Sequence, residues 1–115
     1  MNKSFMNGKN AEDCFKKLYP DVTFINNIID FYMDDCYYVE IKSCQKNISS
    51  GNTKYPYRKG RFHMEKEQHK KLIDVDGLYC FFVFDSERLI VYIRFIPAKI
   101  LKFQQKISWN KIIGR

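Results

Sequence analysis

The stretch that decides the fold is Asp30–Cys44, DFYMDDCYYVEIKSC. It alternates apolar and polar residues on either side of Asp34-Asp35-Cys36, the pattern of two half-buried strands around a tight connection. Asp30, Glu40 and Lys42 nevertheless fall inside the strand patterns. Period-two alternation puts Ile29, Phe31 and Met33 on one face of the first strand and Tyr37, Val39 and Ile41 on one face of the second. A connection through Asp34, Asp35 and Cys36 pairs Met33 with Tyr37, Phe31 with Val39 and Ile29 with Ile41, which makes an apolar face. A connection one residue shorter slips the register and scrambles both faces. The same register sets Asp30 opposite Glu40, Tyr32 opposite Tyr38 and Ile28 opposite Lys42. Opposed carboxylates with Cβ atoms about 5 Å apart repel. A cation between them relieves that repulsion, and Mg²⁺ takes carboxylate oxygens while keeping several waters. Lys42 projects from the Glu40 face, within reach of a metal-bound water. Glu-x-Lys also occurs on ordinary exposed strands. The upstream aspartate, the strand context and the register are what distinguish it here.

The chain has 115 residues, 45% hydrophobic and 17% aromatic, enough for one well-packed domain. A single domain over 1–115 is expected, with a core over about 8–100 and a basic C-terminal tail over about 102–115. No apolar run reaches the roughly 18 residues of a membrane span, and the start lacks the apolar segment of a signal peptide. The expectation is an intracellular protein, in cytoplasm or nucleoid, with no membrane association. Cys14, Cys36, Cys44 and Cys80 form no closely spaced pair, so partly buried thiols in a reducing compartment are expected rather than a zinc site.

Net charge is +7, unevenly spread. Gln45–Arg61 holds Lys46, Lys54, Arg58, Lys59 and Arg61 and no acid; Lys102–Arg115 holds Lys102, Lys106, Lys111 and Arg115 and no acid. A solvated surface explains scattered lysines, but two acid-free basic segments favour a polyanion, most simply nucleic acid. Tyr55, Tyr57 and Phe62, interleaved with these cations, suit either a nucleic-acid surface or local packing.

Asn10 is a plausible N-cap of a first helix, with Ala11, Cys14, Phe15 and Leu18 as its apolar stripe and Pro20 beyond its end. Strands are expected over Val22–Asn26, Ile28–Met33 and Tyr37–Ser43, a loop over Gln45–Gly60 and a helix over Glu65–Ile73. Leu78–Phe84 and Leu89–Ile96 read as strands, and Pro97 as the first turn of a last helix running through Lys99 to about Gln105. The segment LYCFFVF, Leu78–Phe84, is apolar on both faces, as a central strand covered on both sides is. The fold class is α/β: a mixed central β-sheet flanked by helices.

Asp30 followed by Glu40-Ile41-Lys42 resembles the signature of the PD-(D/E)XK nuclease superfamily, over about Gly8–Ile100. The resemblance implies a restriction-endonuclease-like core. It is closest to small archaeal-type Holliday junction resolvases, through Gly8-Lys9-Asn10-Ala11-Glu12, through Glu40-Ile41-Lys42-Ser43 and through GRFHMEKEQHKKL before GLYCFFVF. Ile29 replaces the usual proline, and Thr23–Ile29 lacks the usual glycine-rich loop. The resemblance implies a Mg²⁺-dependent DNA endonuclease, with Mn²⁺ as a substitute, selective for four-way junctions and homodimeric. Asp30, Glu40 and the Ile41 carbonyl would hold the metal. Lys42 would position the nucleophile and stabilise developing charge. Glu12 is either an added acidic catalytic residue or first-turn dipole compensation. DNA contacts are expected from Ser43, Lys46, Lys54, Arg58, Lys59, Arg61 and Gln68. His63 and His69 lack a ligand-spaced partner, and surface or DNA-contact roles are expected of them. The rivals are a restriction- or repair-type nuclease on the same core and a DNA-binding module with an inactive site.

Overall fold

The computed structural model describes residues 3–19, 23–24, 31–33, 37–49, 54 and 57–114. Its first helix, α1, spans Lys3–Leu18. It therefore starts a full two turns before Asn10, which is interior rather than a cap. Nothing in Lys3–Lys9 forbids helix except Gly8, and one interior glycine costs only about 1 kcal/mol. Ala11 and Phe15 are buried as expected, but Leu18 is exposed. Lys16 and Lys17 close the last turn, where cations complement the helix dipole.

Strands β1 (Thr23–Phe24), β2 (Phe31–Met33) and β3 (Tyr37–Gln45) run antiparallel to one another in turn. The β2–β3 register is Phe31 to Val39, Tyr32 to Tyr38 and Met33 to Tyr37, the one that the apolar pairing selects. Ile28–Asp30, the Asp34–Cys36 connection and the rest of the expected first strand lie outside the described residues.

The segment expected to be a loop after Gln45 contains two short strands, β4 (Asn47–Ser49) and β5 (Tyr57–Lys59), paired antiparallel. Next come β6 (Arg61–His63) and helix α2 (Lys66–Asp74), close to the expected helix. Strand β7 (Leu78–Phe84) pairs parallel with β3 and antiparallel with β8 (Ile90–Pro97). The main sheet is thus mixed, in the order β1-β2-β3-β7-β8.

A long last helix after Pro97 does not form. Ala98–Ile100 makes one 3-10 turn and Leu101 is extended. The chain continues as β9 (Lys106–Ser108), paired with β6, and a short helix α3 (Trp109–Ile113). The expected basic tail is therefore folded against the sheet. Its apolar residues explain this: Ile107, Trp109 and Ile112 are buried, with Leu101 and Phe103 packed beside them.

Alternation along β7 divides the core in two. Tyr79, Phe81 and Val83 face a layer that includes Phe62, Leu72, Ile107 and Trp109. Cys80, Phe82 and Phe84 face the other way, onto Ala11 and Phe15 of α1 with Val39 and Ile41. At roughly 1.5–3 kcal/mol for each large apolar side chain buried, β7 is the strand on which the fold depends most.

Candidate active site

Parallel pairing of β3 with β7 sets Glu40 beside Tyr79, Lys42 beside Phe81 and Cys44 beside Val83. Glu40 and Lys42 therefore lie on the sheet face covered by β6, β9, α2 and α3, not on a wet strand face. Glu40 is 4% exposed. The Lys42 ammonium sits 3.8 Å from Glu40 Oε1, with its side chain 15% exposed. Two unit charges about 4 Å apart attract by roughly 4 kcal/mol at an effective dielectric of about 20. Desolvating both offsets much of that, and apolar residues in such places are often as stable or more so. Burial stability alone thus does not explain Glu40 and Lys42 on an interior strand.

Beside Glu40 lies a polar pair that the sequence does not announce. His69, on α2, is buried rather than on the surface, and its Nδ1 shares a hydrogen bond of 2.8 Å with the Tyr79 hydroxyl. The two rings stack with centroids 5.7 Å apart. Burial lowers the His69 pKa below its usual value, and a hydrogen bond with the Leu101 backbone acts in the opposite direction. The Tyr79 pKa is pushed up by burial and by the nearby Glu40 charge. At neutral pH both are uncharged, and they tie α2 to β7 next to the carboxylate. The available sequence signal was the spacing of His69 and Leu72, three residues apart on one helical stripe and both buried. Gln68, the neighbouring residue, is half-buried with its amide oxygen inaccessible to solvent.

Of the other expected site residues, Asp30 lies outside the described residues. Glu12 is half-buried on α1, the helix that packs on the opposite sheet face, so the sheet lies between that helix and Glu40. The Gly8–Glu12 motif lies within α1 rather than at its start. Ser43 and Lys46 are half-buried at the end of β3, while Lys54, Arg58, Lys59 and Arg61 are exposed. Tyr57 is 70% exposed among these cations, Phe62 is core, its ring tilted against Phe81 with centroids 4.7 Å apart, and Tyr55 lies outside the described residues. His63 is exposed on β6. Cys44 and Cys80 are buried and their pKa values are pushed up to about 12, so they are poor nucleophiles at neutral pH.

A mixed sheet covered on both faces, with Glu40 buried and Lys42 half-buried on an interior strand, is consistent with a restriction-endonuclease-like core. The chain belongs to the PD-(D/E)XK nuclease superfamily, whose domain description matches residues 3–113. No curated protein and no solved structure matches it. Members of this superfamily are nucleases, generally dependent on divalent metal, and the domain implies DNA as partner. Among the described residues no helix is long and apolar enough to cross a membrane. Among them, too, no cluster of three or more His, Cys, Asp or Glu side chains forms a metal site. The Glu40 carboxylate buried at this place offers oxygen donors, which suit a hard cation.

Proposed function

We propose that the chain is a Mg²⁺-dependent DNA endonuclease that prefers branched DNA, four-way junctions above all, and acts as a homodimer. The observation that carries the nuclease chemistry is the buried Glu40 with Lys42 3.8 Å away on the same strand face. Asp30 directly precedes Phe31, whose partner is Val39, so the same register continued by one residue would set Asp30 opposite Glu40. Asp30, Glu40 and the Ile41 carbonyl would hold Mg²⁺. Bound there, the cation would supply Lewis-acid polarisation of a phosphoryl oxygen and a more acidic water. The Lys42 ammonium orients the attacking water and stabilises the charge that develops on the phosphate. The His69–Tyr79 pair, uncharged, fixes the wall of the site without competing for either role. Glu12 is an accessory acid at most, because α1 packs on the far side of the sheet.

Preference for branched DNA rests on the Glu40-Ile41-Lys42-Ser43 strand and on the β4–β5 pair, where exposed Tyr57 stands among cations. Aromatic rings beside basic residues stack on unpaired bases, at about 1–3 kcal/mol per base. A homodimer would present two sites to a junction of two-fold symmetry. Leu89, Ile90, Ile93 and Ile100, exposed at and beyond the edge strand β8, are the apolar surface such a dimer would bury, whereas Ile96 is buried in the core.

Incubating the protein with labelled four-way junction, flap, nicked and linear duplex DNA, in Mg²⁺ or EDTA, tests this reading. Junction cleavage in Mg²⁺ alone is expected. Equal cutting of linear duplex would favour the restriction- or repair-type alternative, and no cutting of any substrate an inactive binding module. Sedimentation equilibrium at micromolar concentration should show a dimer. A chain that stays monomeric on a junction rules out the resolvase assignment.

Lys42→Ala should lose most of the cleavage rate but keep metal affinity, because Lys42 acts on water and phosphate rather than on the ion. Calorimetric titration of Mn²⁺ into the variant checks this. A loss of affinity as large as that of Glu40→Gln contradicts the division of roles.

A further inference from the structure

The two acid-free basic segments are far apart in sequence but adjoin in the fold. Strand β9 pairs with β6, which places Arg61 beside Ser108 and His63 beside Lys106. The Trp109 amide donates to the Gly60 carbonyl at 3.2 Å, and its indole Nε1 donates to the Lys46 carbonyl at 2.8 Å. Lys106 and Lys111 are exposed on β9 and α3, as are Lys59 and Arg61 at the β5–β6 junction. No acidic residue occurs in either segment. The C-terminal segment, and β6 where the first segment ends, belong to the layer covering the sheet face that bears Glu40 and Lys42, since Phe62, Ile107, Trp109 and Ile112 pack with Tyr79 and Phe81. Lys16 and Lys17, also exposed, end the helix on the opposite face.

We infer that β5, β6, β9 and α3 form a single track for a DNA phosphodiester backbone on the catalytic face, with Lys106 and Lys111 as phosphate contacts. The inference rests on the DNA-nuclease reading but assigns a binding role to the C-terminal segment, and it fixes which face the substrate covers. The occupant is argued from charge: the cations adjoin across a β ladder, with no carboxylate in either segment. A polyanion with charges spaced along a rod meets such a strip at several points at once, and each neutralised phosphate releases counterions.

The test compares two double variants of equal charge, Lys106→Gln with Lys111→Gln and Lys16→Gln with Lys17→Gln. Both are made in the Glu40→Gln background so that DNA is bound and not cut. All four lysines are exposed, so the core is untouched by either pair of changes. Affinity for a junction and a linear duplex is measured against salt concentration by fluorescence anisotropy. The slope of log affinity against log salt should fall in magnitude by about 1.8 for the Lys106/Lys111 pair, at about 0.9 per duplex phosphate contact, and stay unchanged for the Lys16/Lys17 pair. An unchanged slope for Lys106/Lys111, or equal falls for both pairs, overturns the track. If the Glu40→Gln parent binds no DNA, the nuclease reading falls with it; if the parent binds and only the slopes disagree, the nuclease reading stands and the track alone is lost.

Discussion

Glu40→Gln should abolish DNA cleavage and leave the protein folded and bound to DNA. The substitution keeps the size and shape of the side chain and removes one negative charge from a site that is 4% exposed. Loss of a single well-placed electrostatic group in a water-poor site typically costs about 10²–10³ in rate, and a lost metal ligand should cost at least that. Folding should survive, because Lys42, now without a carboxylate 3.8 Å away, has a four-carbon stem and 15% exposure through which to turn its ammonium to water. In metal-free buffer, affinity for DNA should rise rather than fall, since a carboxylate facing a polyanion has been neutralised. Asp30→Asn should behave in the same way. Single-turnover cleavage of a four-way junction, alongside anisotropy and a thermal melt, reads all three consequences. Cutting near the wild-type rate by either variant would remove that residue from the site, and lost cleavage with lost folding would make Glu40 structural rather than catalytic.

What could be read from the sequence follows from how far each signal extends. Strand β7 was legible to the residue because seven apolar side chains in succession have few other homes. The β2–β3 register was legible because a three-residue connection pairs Phe31 and Met33 with apolar partners, and a slip of one residue does not. The short strands β4, β5 and β9 were missed because three residues are too few to show a period. Their pairing is set by partners far along the chain. The last helix was misread for a related reason. Pro97 suits the first turn of a helix, yet the core at Phe62 and Phe81 draws in Leu101, Phe103, Ile107, Trp109 and Ile112 through an extended segment. At the site, Glu40 and Lys42 could be found by alternation alone, but their burial could not. The layer over them comes from residues 61–112, and nothing local foretells that His69 meets Tyr79 on another element.

Gly60→Ala should be the most damaging single change to stability among the described glycines. A Cβ at Gly60 would stand 1.8 Å from the Gln45 carbonyl oxygen and 2.9 Å from its carbon, both backbone atoms in the last turn of β3's ladder. No rotamer relieves a clash with backbone, so the chain itself must move. It is held on both sides: the Gly60 amide donates to the Lys46 carbonyl at 3.2 Å, and the Gly60 carbonyl accepts from the Trp109 amide at 3.2 Å. The Lys46 carbonyl also takes the Trp109 indole, so opening this point loosens the end of β3, the β5–β6 junction and α3 together. A loss of about 3 kcal/mol or more is expected, at the severe end for point changes. For a domain near this size that lowers Tm by roughly 10–20 °C. Because the same knot joins the two basic segments, DNA affinity should fall as well, even below the melting transition, while Glu40 and Lys42 keep their places on β3. Denaturant unfolding and anisotropy on the same preparation decide the matter. An alanine variant with wild-type stability would mean that Gly60 and the end of β3 do not approach as described, and the joined basic surface would lose its anchor.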